Sequence, residues 1–401
     1  MANKKKKQAE GISFPIGESL LGLPYPVFYD PHFAIGENKA PVSLVTGTPG
    51  SGKTFFGLWC ATQASIANKT VFILDPKVDF KNLKTVSDRG LCGPVQIWEL
   101  LNESKEVDIS NYGVLDPMIM SSNISENVVM TMDVIRQLIE GELSNKQKTA
   151  LTPIVQDIAN NKKTASFNLV IDTLLRNRDD DIRGLGFELR AILDLEMSKL
   201  LIRPKGTTPK RMDISRGTTV ATLLGIRLPE PGVLPSSYKA DERVSVVIMW
   251  LLTNLVLQMM KSVPKIKQKM LIIDEAWAIM ANEQGSRMME SVSLLGRSLN
   301  MASLFITQSP NHLRRGESSP DLDNSISTRF AFRNTSDSDN RETVRAMRLP
   351  PEENWEVVIP QLEVGRCLMQ DSRDNLGIVK IVAPDELAEA FNTNPTETVD
   401  V

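Results

Sequence analysis

The sequence predicts an α/β protein with a largely parallel central sheet, crossover helices and an inserted all-α subdomain. Three observations predict it. From Pro41 onward, short apolar and β-branched runs alternate with longer helical patterns. One of these strand-like runs leads directly into a complete phosphate-binding loop. Between about Ile124 and Ile202 the apolar period turns wholly helical.

The elements follow in order. Residues 1–40 read as a basic tail and short lead-in strands, the latter within Gly11 to Asp30. Residues 41–123 and 203–391 read as two parts of one sheet domain, with candidate strands at Val42 to Thr46, Val71 to Asp75, Thr219 to Ile226, Met270 to Asp274, Ser303 to Thr307 and Arg329 to Arg333. Near-continuous apolar character in Val71-Phe72-Ile73-Leu74 and Leu271-Ile272-Ile273 suits strands covered on both faces. Arg366 to Gln370 and Gly377 to Val382 flank the turn-like Asp371 to Asn375 and predict a hairpin closing one edge. The insertion, 124–202, carries Val128, Met132, Ile135, Leu138 and Ile139, then Leu189, Ile192, Leu193 and Leu200, at helical spacing. Its polar runs Ser144 to Lys148 and Arg176 to Asp181 read as turns between helices. Residues 392–401 read as a mobile tail.

Composition narrows the function classes. The chain has 401 residues and a net charge of −3, with 41% hydrophobic and 24% charged positions, which excludes a disordered or fibrous protein. Lys and Arg number 46 against 49 Asp and Glu, so any nucleic-acid footprint has to be local. Cys60, Cys92 and Cys367 are too far apart for a disulfide framework or clustered metal site, and a reducing, cytoplasmic setting fits them. His32 and His312 stand isolated from other strong ligands and read as ordinary surface or loop residues. Lys4 to Lys7 precede no apolar run, so no secretory signal is expected and the run reads as solvated. The apolar stretch from Arg243 to Lys261 is short for a membrane span and contains Ser245, Thr253, Asn254 and Gln258. A helix buried between the sheet and another layer explains it better.

Chemistry concentrates in two places. Gly47-Thr48-Pro49-Gly50-Ser51-Gly52-Lys53-Thr54 completes the G-x-x-x-x-G-K-[ST] pattern between a strand and the apolar helical run Phe55 to Ala64. Its glycines let the backbone wrap phosphate oxygens, and the helix offers free amides to the same anion. Lys53 then faces the β- and γ-phosphates of ATP, and the Thr54 hydroxyl a Mg²⁺ ion. Far along the chain, Leu271-Ile272-Ile273-Asp274-Glu275 ends an apolar strand in two acids. Asp274 is expected to hold Mg²⁺ through water and Glu275 to deprotonate the attacking water, which predicts hydrolysis of ATP to ADP and phosphate.

Four further positions leave alternatives open. Asp75 either caps the turn after its strand or serves around the metal and water. Gln308, after Thr307 on a later strand, is either a γ-phosphate sensor or a plain strand-end amide. Arg297, expected near the end of a helix beginning about Met288, either reaches a phosphate in its own or a neighbour's site or makes a surface ion pair. Arg329 is a second candidate, ahead of Arg366 and Arg373.

Taken in order, Gly47 to Thr54, the Asp75 strand end, the helical insertion, Ile273-Asp274-Glu275-Ala276-Trp277, Gly296-Arg297-Ser298-Leu299-Asn300 and Thr307-Gln308-Ser309 resemble the ATPase domain of type IV secretion ATPases of the VirB/TraC kind. The Asp-Glu-Ala-Trp run, followed by Gly-Arg and Thr-Gln, is the distinctive part. The resemblance spans about Ile12 to Phe391. It implies a RecA-like P-loop fold, membership of the HerA/FtsK superfamily and working hexamers. It also implies a site carried by Lys53, Thr54, Asp274, Glu275 and Gln308, with Arg297 or Arg329 acting between subunits. The function so implied is a motor powering conjugative or type IV secretion, by substrate transfer or pilus assembly, with secretion components as partners and a place at the inner face of the membrane through them. Alternatives are a stand-alone DNA translocase or packaging ATPase of the same superfamily, and a nucleotide-gated scaffold. Family members usually carry a long amino-terminal domain, whereas about forty residues precede the loop here, which favours an excised ATPase domain.

Overall fold

Phe14–Ser19 (β1) and Pro26–Tyr29 (β2) pair antiparallel and are followed by the single turn Phe33–Gly36 (α1). The computed structural model describes residues 13–20, 24–102, 104–161, 163–204, 217–230, 233–277, 283–310, 322–350 and 353–391. Lys4 to Lys7, His312 and the expected tail 392–401 lie outside the described residues.

The first crossovers run Val42–Thr46 (β3), Lys53–Ile66 (α2), Thr70–Asp75 (β4), Leu83–Asp88 (α3) and Val95–Leu101 (β5). Then come four helices, Ile124–Leu138 (α4), Asn145–Asn160 (α5), Phe167–Leu175 (α6) and Asp180–Leu193 (α7), before the chain returns to the sheet at Thr218–Leu223 (β6). The long helix Ala240–Ser262 (α8) leads to Lys269–Ile273 (β7), Glu283–Leu299 (α9) and Met301–Ile306 (β8). Thr328–Phe332 (β9), Asp337–Ala346 (α10), Trp355–Gln361 (α11), the hairpin Arg366–Gln370 (β10) and Leu376–Ile381 (β11), and Asp385–Ala390 (α12) complete the order.

One sheet joins these strands in the order β2-β1-β11-β10-β9-β3-β8-β7-β4-β6-β5. Strands β9 through β5 along this order are mutually parallel, as crossover helices dictate. Side chains alternate between two cores. Phe72, Leu74, Leu271 and Ile273 join α8, α9 and the inserted helices on one face, while Val71, Ile73, Met270 and Ile272 join α2 and α3 on the other. Burial on both faces is why these strands read as unbroken apolar runs. Helix α8 is apolar because it lies within the first core, with 72% of its most apolar stretch buried.

Four expectations are corrected. The β10–β11 hairpin does not close an edge, because β1 pairs antiparallel with β11 and β2 extends beyond it. Asn145 to Lys148 are helical rather than a turn: Ser144 caps α5, accepting from Gln147 N at 3.1 Å while its own N–H donates to Gln147 Oε1 at 2.8 Å. Helix α9 starts at Glu283, ahead of Met288. His32 is no surface residue; it is 5% exposed, its Nε2 lies 3.0 Å from Lys269 O, and Lys69 Nζ lies 3.3 Å from its Nδ1. Strand β5 was not anticipated from the sequence, since Gln96 and Glu99 interrupt its apolar character at the sheet edge. All three cysteines are free thiols.

Candidate functional site

The register of four neighbouring strands brings their carboxyl ends together. Leu74 on β4 aligns with Ile273 on β7, Ile273 with Phe305 on β8, and Ile306 with Val45 on β3. The residues that follow these strands border one cleft of about 620 Å³, lined among others by Gly50, Gly52, Lys53, Thr54, Lys77, Asp79, Asp274, Glu275, Thr307 and Gln308. Crevices at these strand ends are where open α/β sheets place ligands.

The loop at Gly47 to Thr54 is tied down from three sides. Gly47 N donates to Gln308 O at 3.3 Å, Thr48 N to Arg333 O at 2.9 Å, and Gly365 N to Ser51 O at 3.0 Å. Gly52 has φ 107°, and a Cβ there would sit 3.1 Å from the Gly365 backbone, so glycine is required by both conformation and space. It stands at the start of α2, whose unsatisfied first-turn N–H groups and dipole favour an anion. Lys53 folds back to donate to Thr48 O at 2.8 Å. Burial pulls its pKa down to about 8; Lys77 pushes the same way, and Asp274 and Glu275 oppose.

The two acids have different surroundings. Asp274 continues the ladder, its N–H donating to Leu74 O at 3.0 Å, and its Oδ1 accepts from Glu275 N at 3.0 Å. Its Oδ2 is buried and has no hydrogen-bond partner among the described residues. Burial, reinforced by Glu275 and Asp75, raises the Asp274 pKa to about 8. A cation would reverse that shift and satisfy Oδ2. Glu275 has φ 51°, a left-handed conformation that costs on the order of 1–2 kcal/mol and aims its side chain back into the cleft. Its carboxylate takes three donors: Lys77 Nζ in an ion pair, Trp277 Nε1 at 2.5 Å on Oε2, and Gln308 Nε2 at 3.4 Å on Oε1. Burial pushes the Glu275 pKa up, but Lys77 and the three hydrogen bonds outweigh it and hold the carboxyl below the usual range.

Of the remaining candidates, Asp75 stands behind the cleft. Its oxygens accept from Lys77 N at 3.1 Å and Phe80 N at 2.8 Å, so it caps the turn after β4, and burial raises its pKa to about 7. Pro49 lines the mouth of the cleft, while Ser51 is fully buried beneath the loop. Arg297 and Arg329 lie elsewhere. Together with Lys39, Arg345 and Arg348 they border a second cavity of about 610 Å³, where Arg297 donates to Asn38 O at 3.0 Å and Asn38 Oδ1 at 3.1 Å. Arg297 and Lys39 flank the amino ends of β8 and β3, the opposite end of the parallel strands from the loop. Six residues of β8 separate Arg297 from Gln308 by roughly 20 Å. Arg366 pairs with Glu363 and Arg373 with Glu37; neither lines either cavity.

Sequence reasoning assigned no role to Lys77, Asp79 or Trp277, although Lys77 follows a strand that ends beside the acidic pair. It also missed an apolar wall of the cleft, where Val364, Ala388 and Phe391 line the space and Phe391 packs edge-on against Phe55 at 5.5 Å. That wall depends on α12 packing against α3 and carrying Phe391 to Phe55 on α2, which no local pattern reports.

VirB4 of Thermoanaerobacter pseudethanolicus superposes with a TM-score of 0.70 at 14% identity, over 95% of this chain and 98% of that one. The bacterial conjugative coupling protein TrwBdeltaN70 gives 0.56 at 11% identity, over 91% and 95% of the two chains. TrwB in complex with the non-hydrolysable ATP analogue ADPNP gives 0.56 at 12%, over 94% and 96%. At such identities these likenesses show the fold. In sequence, the uncharacterized protein YddE of Bacillus subtilis (strain 168) is 20% identical over 346 residues, 84% of this chain, and the chain spans 40% of that relative's length. The AAA-like domain family matches residues 35–391, through every strand of the cleft and both of its motifs, and the chain belongs to that family.

Proposed function

We propose that the chain is a Mg²⁺-dependent ATPase that works as a ring, a hexamer by the resemblance above, and powers type IV secretion or conjugation. The observation that carries this reading is the convergence of Lys53, Thr54, Asp274, Glu275 and Gln308 on one cleft at the carboxyl ends of parallel strands. ATP enters with its phosphates on the loop amides and Lys53, and the apolar wall at Phe55, Val364 and Phe391 receives the rest of the nucleotide. The Thr54 hydroxyl and the unsatisfied Asp274 Oδ2 fit a Mg²⁺ ion, which when bound neutralises charge on the phosphates. Glu275 takes the proton from the attacking water, oriented by Trp277 and Gln308. The likeness to TrwB in its ADPNP complex supports ATP as the nucleotide and the likeness to VirB4 supports the secretion setting, at the inner face of a membrane through partner components. Arg297 and Arg329, which line the second cavity and not the one beside their own loop, serve a neighbour's nucleotide.

The test is steady-state ATP hydrolysis by the purified chain over a wide concentration range, with and without duplex DNA. Glu275→Gln is expected to keep ATP binding while turnover falls at least 100-fold, and Lys53→Ala to weaken binding itself. Unchanged turnover in Glu275→Gln would remove the base from this mechanism. Strong, salt-sensitive stimulation by DNA would shift the reading to a DNA translocase.

A further inference from the structure

Lys77 is placed with unusual care for a half-exposed lysine. Its backbone is pinned, since the Asp75 carboxylate accepts from both Lys77 N and Phe80 N. The side chain is 47% exposed, yet it reaches across to Glu275 on the neighbouring strand, whose own side chain is 5% exposed, and pairs with Oε1. That is the same oxygen Gln308 approaches, while Trp277 occupies Oε2. Lys77 and Gln308 fill both lone-pair positions of Oε1, and Trp277 takes one of the two on Oε2, so Oε1 can receive a proton from water only when one of its donors leaves. Of the three donors, only Lys77 is both charged and half in solvent, and so able to leave cheaply.

A second feature of the cleft points the same way. Lys53 and Lys77 both line it, and each is docked on an acceptor belonging to the protein: Lys53 on Thr48 O, Lys77 on Glu275. A triphosphate brings a denser negative charge than either acceptor. Moving Lys77 to it leaves Glu275 still held by Trp277 and Gln308.

We infer that Lys77 is a latch on Glu275 that responds to the terminal phosphate: its ammonium holds the carboxylate until ATP is bound, then crosses to the γ-phosphate and frees Oε1. This rests on the reading of the cleft as an ATPase site. In the step so released, the water oxygen bonds to the γ-phosphorus and the bond to the β–γ bridging oxygen breaks. ADP leaves with that oxygen, and the water's proton passes to Glu275 Oε1. ADP lacks the group that draws Lys77 away, so the latch re-forms after phosphate is released. Lys77 is thereby both a γ-phosphate contact and a positioning residue for Glu275.

The experiment measures equilibrium binding of ATP and ADP to the full chain in a Glu275→Gln background, where turnover is suppressed. Adding Lys77→Met is expected to weaken ATP at least 10-fold and ADP less than 3-fold, with Lys77→Arg retaining most of the discrimination. Equal losses for both nucleotides would overturn the proposal. Should Lys77→Met fail to fold, Lys77→Gln carries the same comparison. A double-mutant cycle on melting temperature, using Lys77→Met, Glu275→Gln and their combination, tests the release. The two substitutions should be coupled without nucleotide and additive with saturating ADPNP; coupling that persists with ADPNP would also overturn it. If Glu275→Gln instead hydrolyses ATP at the normal rate, the base assignment falls, and the same comparison made with the non-hydrolysable ADPNP against ADP still decides whether Lys77 senses the γ-phosphate.

Discussion

His32 shows what burial does to a titrating side chain away from the nucleotide cleft. Its pKa is driven down to about 3, first by burial and then by the Lys69 ammonium, against the opposing hydrogen bond to the Lys269 carbonyl. Nε2–H donates to that carbonyl and leaves Nδ1 to face Lys69, so a proton on Nδ1 would set two cations together. The folded pKa lies below the unfolded value, so between about pH 3 and 6.5 only the unfolded chain binds this proton. Stability from His32 is therefore full above pH 6.5 and is lost as the pH falls through that window, by about 1.4 kcal/mol per unit. Urea unfolding at pH 7.5 and 5.0 should show the wild type losing about 2 kcal/mol more than His32→Gln over that interval. An equal loss in both proteins would mean the imidazole is protonated in the fold. The sequence showed only an isolated histidine, because its partners come from residues 69 and 269, brought together by the sheet. Lys53, Thr54, Asp274 and Glu275 were legible for the opposite reason. They stand in contiguous motifs, and only the strand order was needed to bring those motifs to one cleft. The pairing of Lys77 with Glu275 stayed hidden because a lysine after a strand end is ordinary until its partner on the neighbouring strand is known.

At the level of elements, the parallel strands were legible because burial on both faces leaves unbroken apolar runs, and the four inserted helices because their buried positions recur with helical period. Edges were not: β5 carries polar residues on its exposed positions, and the place of the β10–β11 hairpin depends on β1, more than three hundred residues away in sequence. The inserted helices also show how packing decides what a helical glycine does. Helix α7 contains Gly184, exposed with nothing within 4 Å of an added Cβ, and Gly186, where a Cβ would meet Leu175 N at 2.9 Å and the Leu174 carbonyl carbon at 3.1 Å. Alanine gains about 1 kcal/mol of helix propensity at either position. At Gly184 that gain stands alone, and Gly184→Ala should raise the melting temperature. At Gly186 the added methyl strikes the backbone of α6, which cannot rotate away, and overpacking of about 1–3 kcal/mol outweighs the propensity. Gly186→Ala is thus expected to lower the melting temperature while its neighbour two residues earlier raises it. A rise in both variants would show that α6 and α7 are not held as closely as their backbones indicate.

Across the whole molecule, the two cavities stand at opposite ends of the parallel strands, the phosphate loop and acids at the carboxyl ends and the cluster of Lys39, Arg297, Arg329, Arg345 and Arg348 toward the amino ends. Arg297 is set off from its own chain's loop by the length of β8, roughly 20 Å, whereas Arg329 stands level with Leu44 in the middle of β3 and lines the second cavity, not the loop's. A head-to-tail contact is heterologous and closes into a ring when the rotation permits, so the arginine end of one subunit can meet the loop end of the next. If Arg329 or Arg297 completes a neighbour's site, its replacement by alanine should slow hydrolysis by about 10³-fold or more while leaving ATP affinity within a few-fold. Arg297 also anchors α9 to Asn38, so Arg329→Ala is the cleaner variant and Arg297→Ala should cost stability besides. Mixing separates action in trans from action in cis. Lys53→Ala subunits have intact arginines but a defective loop, and Arg329→Ala subunits the reverse. In an equal random mixture about a quarter of the interfaces pair a sound loop with a sound arginine, so two nearly inactive proteins should together regain about a quarter of the wild-type rate. An arginine acting within its own chain predicts no recovery at any ratio, because neither kind of subunit then holds a complete site. An Arg329→Ala protein that hydrolyses ATP normally would remove Arg329 from the reaction altogether. The dependence of the recovered rate on mixing ratio thus reports where the arginine acts and whether the working unit is larger than one chain.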